Sequence, residues 1–416
     1  MDFIRSLAHP DEIVALLRFR FGGGRETITP SLQEDSLSPN MKKCVFLLKK
    51  TSRSFAAVIQ ALDEELRHPV CIFYLVLRAL DTVEDDMTIP LATKVPLLKT
   101  FYTRLEDPEW KYTESQEKDR IVLEDFPVIS AEYRALAPSY RQVISDICRR
   151  MGEGMTEYLE QHPDTEEDWD KYCHYVAGLV GIGLSQLFAA SGLENEQIGK
   201  EEKLANAMGL FLQKTNIIRD YLEDINDGRI FWPKSVWKKF TLNLEDFKSS
   251  EHSHKAVACL NYLVTNALQH APDVLEYMSK LKNRSVFNFC SIPQVMAIGT
   301  LARCYNNHQV FTGVVKIRKG EAVRMMMEAT DMNSFKKIMS QCTQELGSEI
   351  PFLDPSAVRT LEIVQRIMTL CSPEWAGLCM KNSAQSGQGI FGALKRFGAA
   401  FLILAMTWSL WSPNFS

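Results

Sequence analysis

The sequence predicts an all-α protein. Over about residues 37–345, apolar side chains recur at spacings of three and four, as in Phe73, Leu77 and Leu80, which is the period of an amphipathic helix. Alternating Val/Thr-rich runs bounded by turns, which would indicate strands, are missing apart from the short segment VVKIRKG. The chain has 416 residues, of which 46% are hydrophobic, so it can bury a large core and is not a disordered protein.

Four regions are expected along the chain. Residues 1–35 include the basic, glycine-rich stretch FRFGGGRETITP and form an N-terminal segment. Residues 36–345 carry the helical pattern and form the main domain. Residues 346–394, with PFLDPS and CSPEW, are mixed in character and form a linker or peripheral segment, and residues 395–416 form a separate C-terminal element.

The C-terminal element is predicted to be a membrane anchor. No residue from Phe397 to Ser416 is charged, and Lys395 and Arg396 come directly before this run of 20 residues. At ~1.5 Å per residue, such a run just spans the ~30 Å hydrocarbon core of a bilayer, with the basic pair left on the cytosolic side. A buried or interfacial helix is the alternative, because Pro413 shortens the strongly apolar part.

Charge and cysteine usage exclude several classes of protein. A net charge of -5 and a pI near 6.0 argue against a nucleic-acid partner, although a mildly acidic protein can bind anions when metal ions supply the positive charge. The ten cysteines form no CxxC pair, and the eight histidines form no HxxxH or HExxH pattern. This usage indicates a reduced protein on the cytosolic side of a membrane, without a zinc site or a dense disulfide framework.

Two short acidic patterns carry the main functional signal. Asp81, Glu84 and Asp85 follow the apolar run CIFYLVLRAL, and Asp220 and Asp224 follow FLQKTNIIR. In each pattern two aspartates stand four residues apart, so on a helix they share one face at a spacing of ~6 Å. Each face continues with polar residues inside a segment that otherwise looks buried; these residues are Tyr74, Arg78, Gln213 and Asn216.

Such a pair of acidic helix faces suits magnesium. Mg²⁺ prefers octahedral oxygen coordination and is typically held by one or two carboxylates together with substrate phosphates. Two faces across a cavity could hold several Mg²⁺ ions, and these would assist the departure of a diphosphate as Lewis acids. Solvated surface carboxylates are the alternative for either pattern alone, but the repetition after a buried-looking run favours metal.

Basic residues near these patterns are candidates for phosphate binding. Arg53 lies in TSRSF, Arg78 one turn before the first pattern and Arg219 beside the second, while Lys316 and Arg318 lie in VVKIRKG. Guanidinium groups match phosphate geometry because they can donate two parallel hydrogen bonds. Each of these residues could instead be an ordinary surface charge.

A glycine-rich helical segment begins at Tyr172 with the sequence YCHYVAGLVGIG. Each glycine costs ~1 kcal/mol relative to alanine in a helix, so a compensating close approach of a neighbouring helix or an apolar ligand is expected. The glycine order GxxGxG and the absence of a preceding strand pattern exclude a dinucleotide-binding fingerprint. Tyr172 is either an ordinary core residue or a functional phenol.

Taken together, the motifs resemble the squalene synthases of animals. The segments TSRSF, YLVLRALDTVEDD, DWDKYCHYVAGLVGIGLS, LFLQKTNIIRDYLED, FWP, SVFNFC, IPQVMAI and VKIRKG occur in that family's order over roughly residues 40–330. The resemblance implies the all-α isoprenoid-synthase fold with a central cavity and makes residues 36–345 the catalytic domain. It also implies a monomer at the endoplasmic reticulum membrane whose catalytic domain faces the cytosol.

The resemblance assigns roles to individual residues. Mg²⁺ would be bound by Asp81, Glu84, Asp85, Asp220 and Asp224. Diphosphate or the phosphates of NADPH would meet Arg53, Arg78, Arg219, Lys316 and Arg318. Tyr172 would assist the first half-reaction, Tyr74, Gln213 and Asn216 would contact substrate or cofactor, and Phe55, Phe287 and Phe289 would line a carbocation pocket.

The implied reaction joins two farnesyl diphosphates head to head through presqualene diphosphate and then reduces the product to squalene with NADPH. A phytoene-synthase-like condensation without reduction is the nearest alternative, and VKIRKG and the apolar tail favour squalene formation over it. A non-catalytic membrane scaffold with the same fold is the alternative from another class. Such a scaffold would have no need to keep both acidic patterns.

Overall fold

The computed structural model describes residues 12, 14, 15, 37–52 and 55–372. This part of the chain contains helices, turns and no strand, and the predicted all-α class is confirmed. The VVKIRKG segment is irregular up to Arg318, and the next helix begins at Lys319. The α-helices are, in chain order, α1 Pro39–Thr51, α2 Phe55–Gln60, α3 Glu64–Asp85, α4 Leu91–Thr100, α5 Ile121–Glu124, α6 Phe126–Ala135, α7 Pro138–Glu157, α8 Glu166–Cys173, α9 Leu179–Ala190, α10 Glu202–Arg219, α11 Tyr221–Asn226, α12 Lys234–Trp237, α13 Ser253–Leu268, α14 Ala271–Lys280, α15 Arg284–Cys304, α16 Lys319–Glu328, α17 Met332–Ser348 and α18 Ala357–Cys371.

Helix α10 lies at the centre of the helical bundle. It packs against α9, α13, α14 and α15, while α3 packs against α1, α6 and α7 on the other side of α9. Both α3 and α10 are lined with fully buried side chains, such as Leu75 and Val76 on α3 and Phe211 and Ile218 on α10. The two helices that carry the acidic patterns are therefore held rigidly by the core.

Close contact between α9 and α10 explains the glycines of the YCHYVAGLVGIG segment. A Cβ atom on Gly181 would lie 2.3 Å from the carbonyl oxygen of Ala205, and one on Gly209 would lie 2.2 Å from the carbonyl oxygen of Ala177. Neither distance is compatible with a side chain. Of the two expected reasons for these glycines, the structure shows the approach of a neighbouring helix.

Replacing Gly209 with alanine is therefore expected to destabilise the protein by about 3 kcal/mol, since the two helix backbones must move apart to admit one methyl group. Thermal unfolding followed by circular dichroism would measure the loss. Gly313→Ala is the matched control, because the nearest atom to its added Cβ would be 3.7 Å away. Equal melting temperatures for the two variants would contradict the packing explanation.

Between α8 and α9 the chain makes one wider turn. Residues His174–Gly178 form a π-helical turn that joins the two helices end to end. Such turns insert one extra residue into a helix and occur frequently at functional sites. Tyr172 lies directly before this turn, and the glycine-rich contact with α10 lies within and after it.

The helical body extends beyond the expected domain boundary at residue 345. Helix α18 buries Val364, Ile367 and Met368 and packs against α17. The hydroxyl groups of Thr360 on α18 and Thr265 on α13 lie 2.6 Å apart in the interior. Part of the predicted linker is thus packed onto the core, because its apolar residues recur at helical spacing.

Two stretches of the described residues are long and apolar enough to cross a membrane by length and composition, namely Glu166–Ala190 and Arg284–Cys304. Arg284–Cys304 is mostly buried inside the protein, as in the core helix of a soluble domain. The predicted C-terminal anchor at 395–416 and most of the N-terminal segment at 1–35 lie outside the described residues.

Candidate active site

The first acidic pattern ends a helix in an electrostatically unfavourable way. Asp81, Glu84 and Asp85 occupy the last turn of α3, which contains no basic residue. Carbonyl groups make the end of a helix partially negative, so carboxylates there are disfavoured unless a cation is nearby. This arrangement lowers the stability of the protein when no cation is bound, and it therefore indicates a site that binds a positively charged group.

The second acidic pattern lies at a break between two helices. Asp220 ends α10 and precedes α11, with its backbone N–H bound to the carbonyl of Asn216 at 2.8 Å. The backbone N–H of Asp224 donates in turn to the carbonyl of Asp220 at 2.9 Å, so the spacing of one helical turn is kept through the break. Both aspartates are partly buried, with 33% and 13% of their side chains exposed.

Arg229 shows that the two acidic patterns face each other. Its guanidinium group lies 3.5 Å from the carboxylate of Asp85 and 3.2 Å from that of Asp224, and a further 3.4 Å contact joins it to Asp227. The predicted pairing of two acidic helix faces across one site is therefore what the structure contains. One guanidinium group, through its two terminal nitrogens, thus contacts both Asp85 and Asp224.

Two other arginines neutralise the acidic patterns individually. Arg78 lies 3.7 Å from Asp81 and 4.0 Å from Asp119, and its Nε donates to the hydroxyl of Tyr74 at 3.3 Å. Arg219 donates from Nε to Asp220 at 2.7 Å. The stripe predicted from Tyr74 through Arg78 to the first acidic pattern is thus present on α3.

Asp86, the residue directly after the first acidic pattern, has a structural role. Asp86 is buried and accepts hydrogen bonds from Ser115 at 2.6 Å and from the backbone N–H of Gln116 at 2.8 Å. Burial alone would raise its pKa, but these bonds and those from Thr88 outweigh burial and lower the pKa of Asp86 to about 2. Asp86 therefore fixes the loop that places Asp119 beside Arg78.

Proton affinities reveal how crowded the acidic site is. Burial, together with repulsion from Asp85, raises the pKa of Asp81 to about 7, despite the opposing charge of Arg78. Burial and the charges of Asp85 and Asp81 raise the pKa of Glu84 to about 8. Burial also raises the pKa of Asp224 to about 7, although Arg229 opposes the shift. The arginines therefore do not offset the cost of keeping these buried carboxylates ionised.

These carboxylates fit magnesium that arrives with a diphosphate. Among residues 37–52 and 55–372, no three carboxylate, thiolate or imidazole groups lie close enough together to hold one ion unaided. Mg²⁺ does not require such a cage, since it commonly takes one or two carboxylates and completes its octahedron with phosphate oxygens and water. A divalent ion would stabilise the ionised forms of Asp81, Glu84 and Asp224, which burial disfavours.

We expect Mg²⁺ to stabilise the protein more at pH 8.5 than at pH 6. The carboxylates have folded-state pKa values above their unfolded values, so their contribution to stability is present at low pH and is lost as the pH rises through about 7 to 8. Ionised carboxylates bind Mg²⁺, which removes the repulsion. Melting temperatures with MgCl₂ and with NaCl at equal ionic strength would measure the difference. A double Asp81→Asn, Asp224→Asn variant should show no such difference between the two pH values. An equal stabilisation of the wild type by Mg²⁺ at both pH values would contradict the prediction.

Tyr172 lies at the edge of the acidic site. Its ring is 94% buried, stacks on Phe231 at a centroid distance of 5.3 Å and meets Tyr158 edge to face at 5.3 Å. Burial, followed by the charges of Glu84 and Asp85, raises its pKa well above the ordinary value, so the phenol stays protonated. Tyr172 and Glu84 border the same cavity of about 240 Å³.

An apolar cavity of about 230 Å³ lies between α9, α10 and α15. Phe55 and Phe289 line it, and Gln213 and Asn216 add amide groups at one side. Phe289 meets the ring of Phe188 edge to face at 6.1 Å. A second cavity of about 280 Å³ shares Phe55 and Asn216 with the first and extends to Arg219. The apolar space therefore leads to the second acidic pattern.

Beyond Arg219 the space opens into a cleft of about 830 Å³ that is lined by both charged and apolar side chains. Lys316 borders this cleft together with Arg219 and Asp220. Arg318 does not border it, because its guanidinium pairs with Glu12 at 2.6 Å and with Glu321 at 3.3 Å. Of the two predicted cations in VVKIRKG, only Lys316 is brought to the described site.

Phe287 also lies apart from the described site. Phe287 packs edge to face on Phe335 of α17, at 6.2 Å, and not among the residues that line the cavity. Two residues along a helix correspond to a rotation of ~200°, so Phe287 and Phe289 point to opposite sides of α15. Arg53 lies outside the described residues.

Arg229, Asp119 and Phe231 contribute to the site and are not among the residues predicted from the sequence. Arg229 and Phe231 belong to the segment DGRIFWP just after the second acidic pattern. The Asp-Gly pair was the available signal, because it predicts a chain reversal that returns the next residues toward the preceding helix. Gly228 does adopt a positive φ of 74° there.

Comparison with known proteins gives a consistent result. A family model described as squalene/phytoene synthase matches residues 48–321. The squalene synthase of Rattus norvegicus is 59% identical over 373 residues, which cover 90% of this chain and 89% of that protein. The squalene synthase of Homo sapiens is 59% identical over 369 residues, which cover 89% of this chain and 88% of that protein.

A solved structure is similar over the same region. The complex of TcSQS with the ligand E5700 superposes with a TM-score of 0.79 at 43% sequence identity. The match covers 80% of this chain and 98% of that one. The helical architecture that positions the two acidic patterns is therefore shared with a protein of known structure.

Proposed function

Since this chain belongs to the squalene/phytoene synthase family, we propose that it joins two farnesyl diphosphates head to head and reduces the product to squalene. It is an enzyme of squalene formation, as its relatives in Rattus norvegicus and Homo sapiens are named. The high identity to these relatives supports squalene over a phytoene-type product. The observation that carries the proposal is the meeting of both acidic patterns beside an apolar cavity.

The residues divide the work between a charged end and an apolar end. Asp81, Glu84, Asp85, Asp220 and Asp224 would hold Mg²⁺, and Arg78 and Arg219 would meet the diphosphate oxygens. When bound, Mg²⁺ withdraws charge from the departing diphosphate, and NADPH is the source of the hydride that ends the reaction. Condensation would pass through presqualene diphosphate.

The apolar end protects a reactive intermediate. Phe55 and Phe289 would present ring faces to developing carbocations, which aromatic rings stabilise. Leu212 and Pro293 also line the space, so water has few polar partners there and would be excluded from the reacting carbons. The protonated phenol of Tyr172, beside Glu84 and Asp85, would hold or move a proton at the charged end.

The location is part of the same proposal. The product is an apolar hydrocarbon, and the uncharged C-terminal run preceded by Lys395 and Arg396 would keep the enzyme at a bilayer that can accept it. We propose the membrane of the endoplasmic reticulum, with the catalytic domain in the cytosol. A monomer is sufficient, because one chain supplies both acidic patterns.

The direct test follows labelled farnesyl diphosphate. The full chain in detergent should form squalene only when both Mg²⁺ and NADPH are present. Without NADPH, presqualene diphosphate and its solvolysis products should accumulate, and without Mg²⁺ neither product should form. Squalene formed in the absence of any nicotinamide would contradict the reductive half of the proposal. Formation of presqualene diphosphate or squalene without Mg²⁺ would contradict the proposed role of the metal.

Lys316→Ala is expected to raise the NADPH concentration required for half-maximal squalene formation by about ten- to hundredfold, because a charge-assisted contact contributes ~1.5–3 kcal/mol. Condensation to presqualene diphosphate should change little, since Lys316 borders the cleft and not the apolar cavity. Lys337→Ala, at an exposed position of α17, is the control. An unchanged NADPH requirement would place the cofactor elsewhere, and Arg318→Ala would then be the next variant to assay.

A further inference from the structure

Arg229 is held in place by the turn that follows the second acidic pattern. Gly228 has a φ of 74°, which reverses the chain after α11. The backbone N–H of Arg229 then donates to the carbonyl oxygen of Asp224 at 2.8 Å. The start of the side chain is therefore fixed beside Asp224, and its guanidinium extends toward α3.

Arg229 differs from the other arginines of the site in the carboxylates it joins. Arg78 pairs with Asp81 and Asp119, and Arg219 pairs with its neighbour Asp220. Arg229 pairs with Asp85 of the first pattern and with Asp224 of the second at the same time. Within the described part of the chain, it is the arginine that bridges the two patterns.

The contact between Arg229 and Asp85 is weak enough to be given up, whereas Asp224 is more deeply buried, with 13% of its side chain exposed. Arg229 has 33% of its side chain exposed, Asp85 has 43%, and ion pairs with this exposure contribute little. The buried Nε of Arg229 has no hydrogen-bond acceptor among the described residues. The guanidinium therefore compensates the carboxylates without satisfying its own hydrogen-bonding capacity.

We propose that Arg229 is a built-in counter-ion, which holds the two acidic patterns together without metal and is displaced from Asp85 and Asp224 when a divalent ion binds. The inference rests on the proposed function, because it takes these carboxylates as metal ligands. A guanidinium and a divalent ion repel each other and compete for the same oxygens, so occupancy by one weakens the other.

Displacement of the Arg229 side chain would also change the surroundings of Tyr172. The guanidinium carbon lies 5.7 Å from the centre of the Phe231 ring, on which the ring of Tyr172 is stacked. Moving Arg229 removes this cation–π contact from one side of the stack. Metal binding at the carboxylates is thereby connected to the position of the phenol.

The test measures binding of Mn²⁺ alone to the full chain, by electron paramagnetic resonance of the free ion. Arg229→Gln should bind Mn²⁺ about five- to tenfold more tightly than the wild type, because the competing charge is gone. Arg229→Lys keeps a competing charge and should stay closer to the wild type than Arg229→Gln does. Arg149→Gln, which removes an arginine paired with Asp146 and Glu153 on its own helix, should bind as the wild type does. Unchanged or weaker binding by Arg229→Gln would overturn the inference.

A second measurement needs no variant, so it remains decisive if Arg229→Gln fails to fold. Saturating Mn²⁺ should increase the rate at which phenylglyoxal modifies Arg229 in the wild-type chain, as measured by peptide mass spectrometry. A constant or reduced rate in the presence of bound Mn²⁺ would overturn the inference and leave the proposed function standing. Failure of the wild type to bind Mn²⁺ even when inorganic pyrophosphate is present would instead overturn the metal chemistry of the proposed function, because the carboxylates are expected to share the ion with a diphosphate.

Discussion

Replacing Asp81 with asparagine is expected to lower the turnover of farnesyl diphosphate by about a thousandfold, because the loss of a metal ligand removes several kcal/mol of leaving-group stabilisation. The helical fold should persist, since the Asp81 side chain is 28% exposed and contributes no apolar contact to the core. Asp220→Asn should have the same consequence from the opposite side of the site. Steady-state assays with labelled substrate, together with circular dichroism, would measure both effects.

The matched control for these variants is Asp146→Asn. Asp146 is also partly exposed and paired with arginines, but its partners Arg149 and Arg150 lie on its own helix α7. Turnover by this variant should remain near that of the wild type. Near-normal turnover by Asp81→Asn or Asp220→Asn would show that the corresponding carboxylate is not a metal ligand.

Tyr172→Phe is expected to slow the first condensation by about a hundredfold or more, which is the usual range for removing a positioned proton donor or acceptor. The ring stack on Phe231 should survive, because only the hydroxyl is removed. Presqualene diphosphate formation in a single turnover would measure the loss, and thermal unfolding would show whether the core is intact.

Tyr158→Phe separates chemistry from packing in this aromatic group. Tyr158 contacts the ring of Tyr172 at 5.3 Å, but its own hydroxyl donates to the backbone carbonyl of Asp168 at 3.2 Å. Its removal should reduce stability slightly and leave condensation nearly unchanged. If both variants lost activity to the same extent, the aromatic packing and not the Tyr172 hydroxyl would be responsible.

Much of the charged site was predictable, because its spacing is a property of a single helix. Asp81 and Asp85 share a face of α3 wherever that helix lies, and Asp220 and Asp224 keep the spacing of one helical turn through the break between α10 and α11. The opposition of the two patterns depends on tertiary packing, yet their shared composition after buried runs was enough to suggest it. The all-α class followed from periodicity alone.

The details that could not be predicted from the sequence depend on the direction in which a side chain points and on which partner it binds. Phe287 and Phe289 look equivalent in SVFNFC, but helix rotation sends one to Phe335 and the other to the cavity. Arg318 has the chemistry of a phosphate ligand, but Glu12, more than 300 residues away in sequence, competes for it. Arg229 acquires its importance only from a chain reversal at Gly228.

The π-helical turn at His174–Gly178 sets the rotation, about the helix axis, between side chains before the turn and side chains after it. Tyr172 borders the charged end, whereas Val180 and Leu184 line the apolar cavity. In an uninterrupted α-helix, 12 residues from Tyr172 to Leu184 would turn by about 120° beyond three full rotations. One inserted residue reduces that excess to about 20°, so both side chains lie along one straight edge of the helix. Converting this turn into regular α-helix without removing a residue would rotate the phenol by about 100° away from that edge, whereas deleting one residue together with the wide turn would keep the alignment.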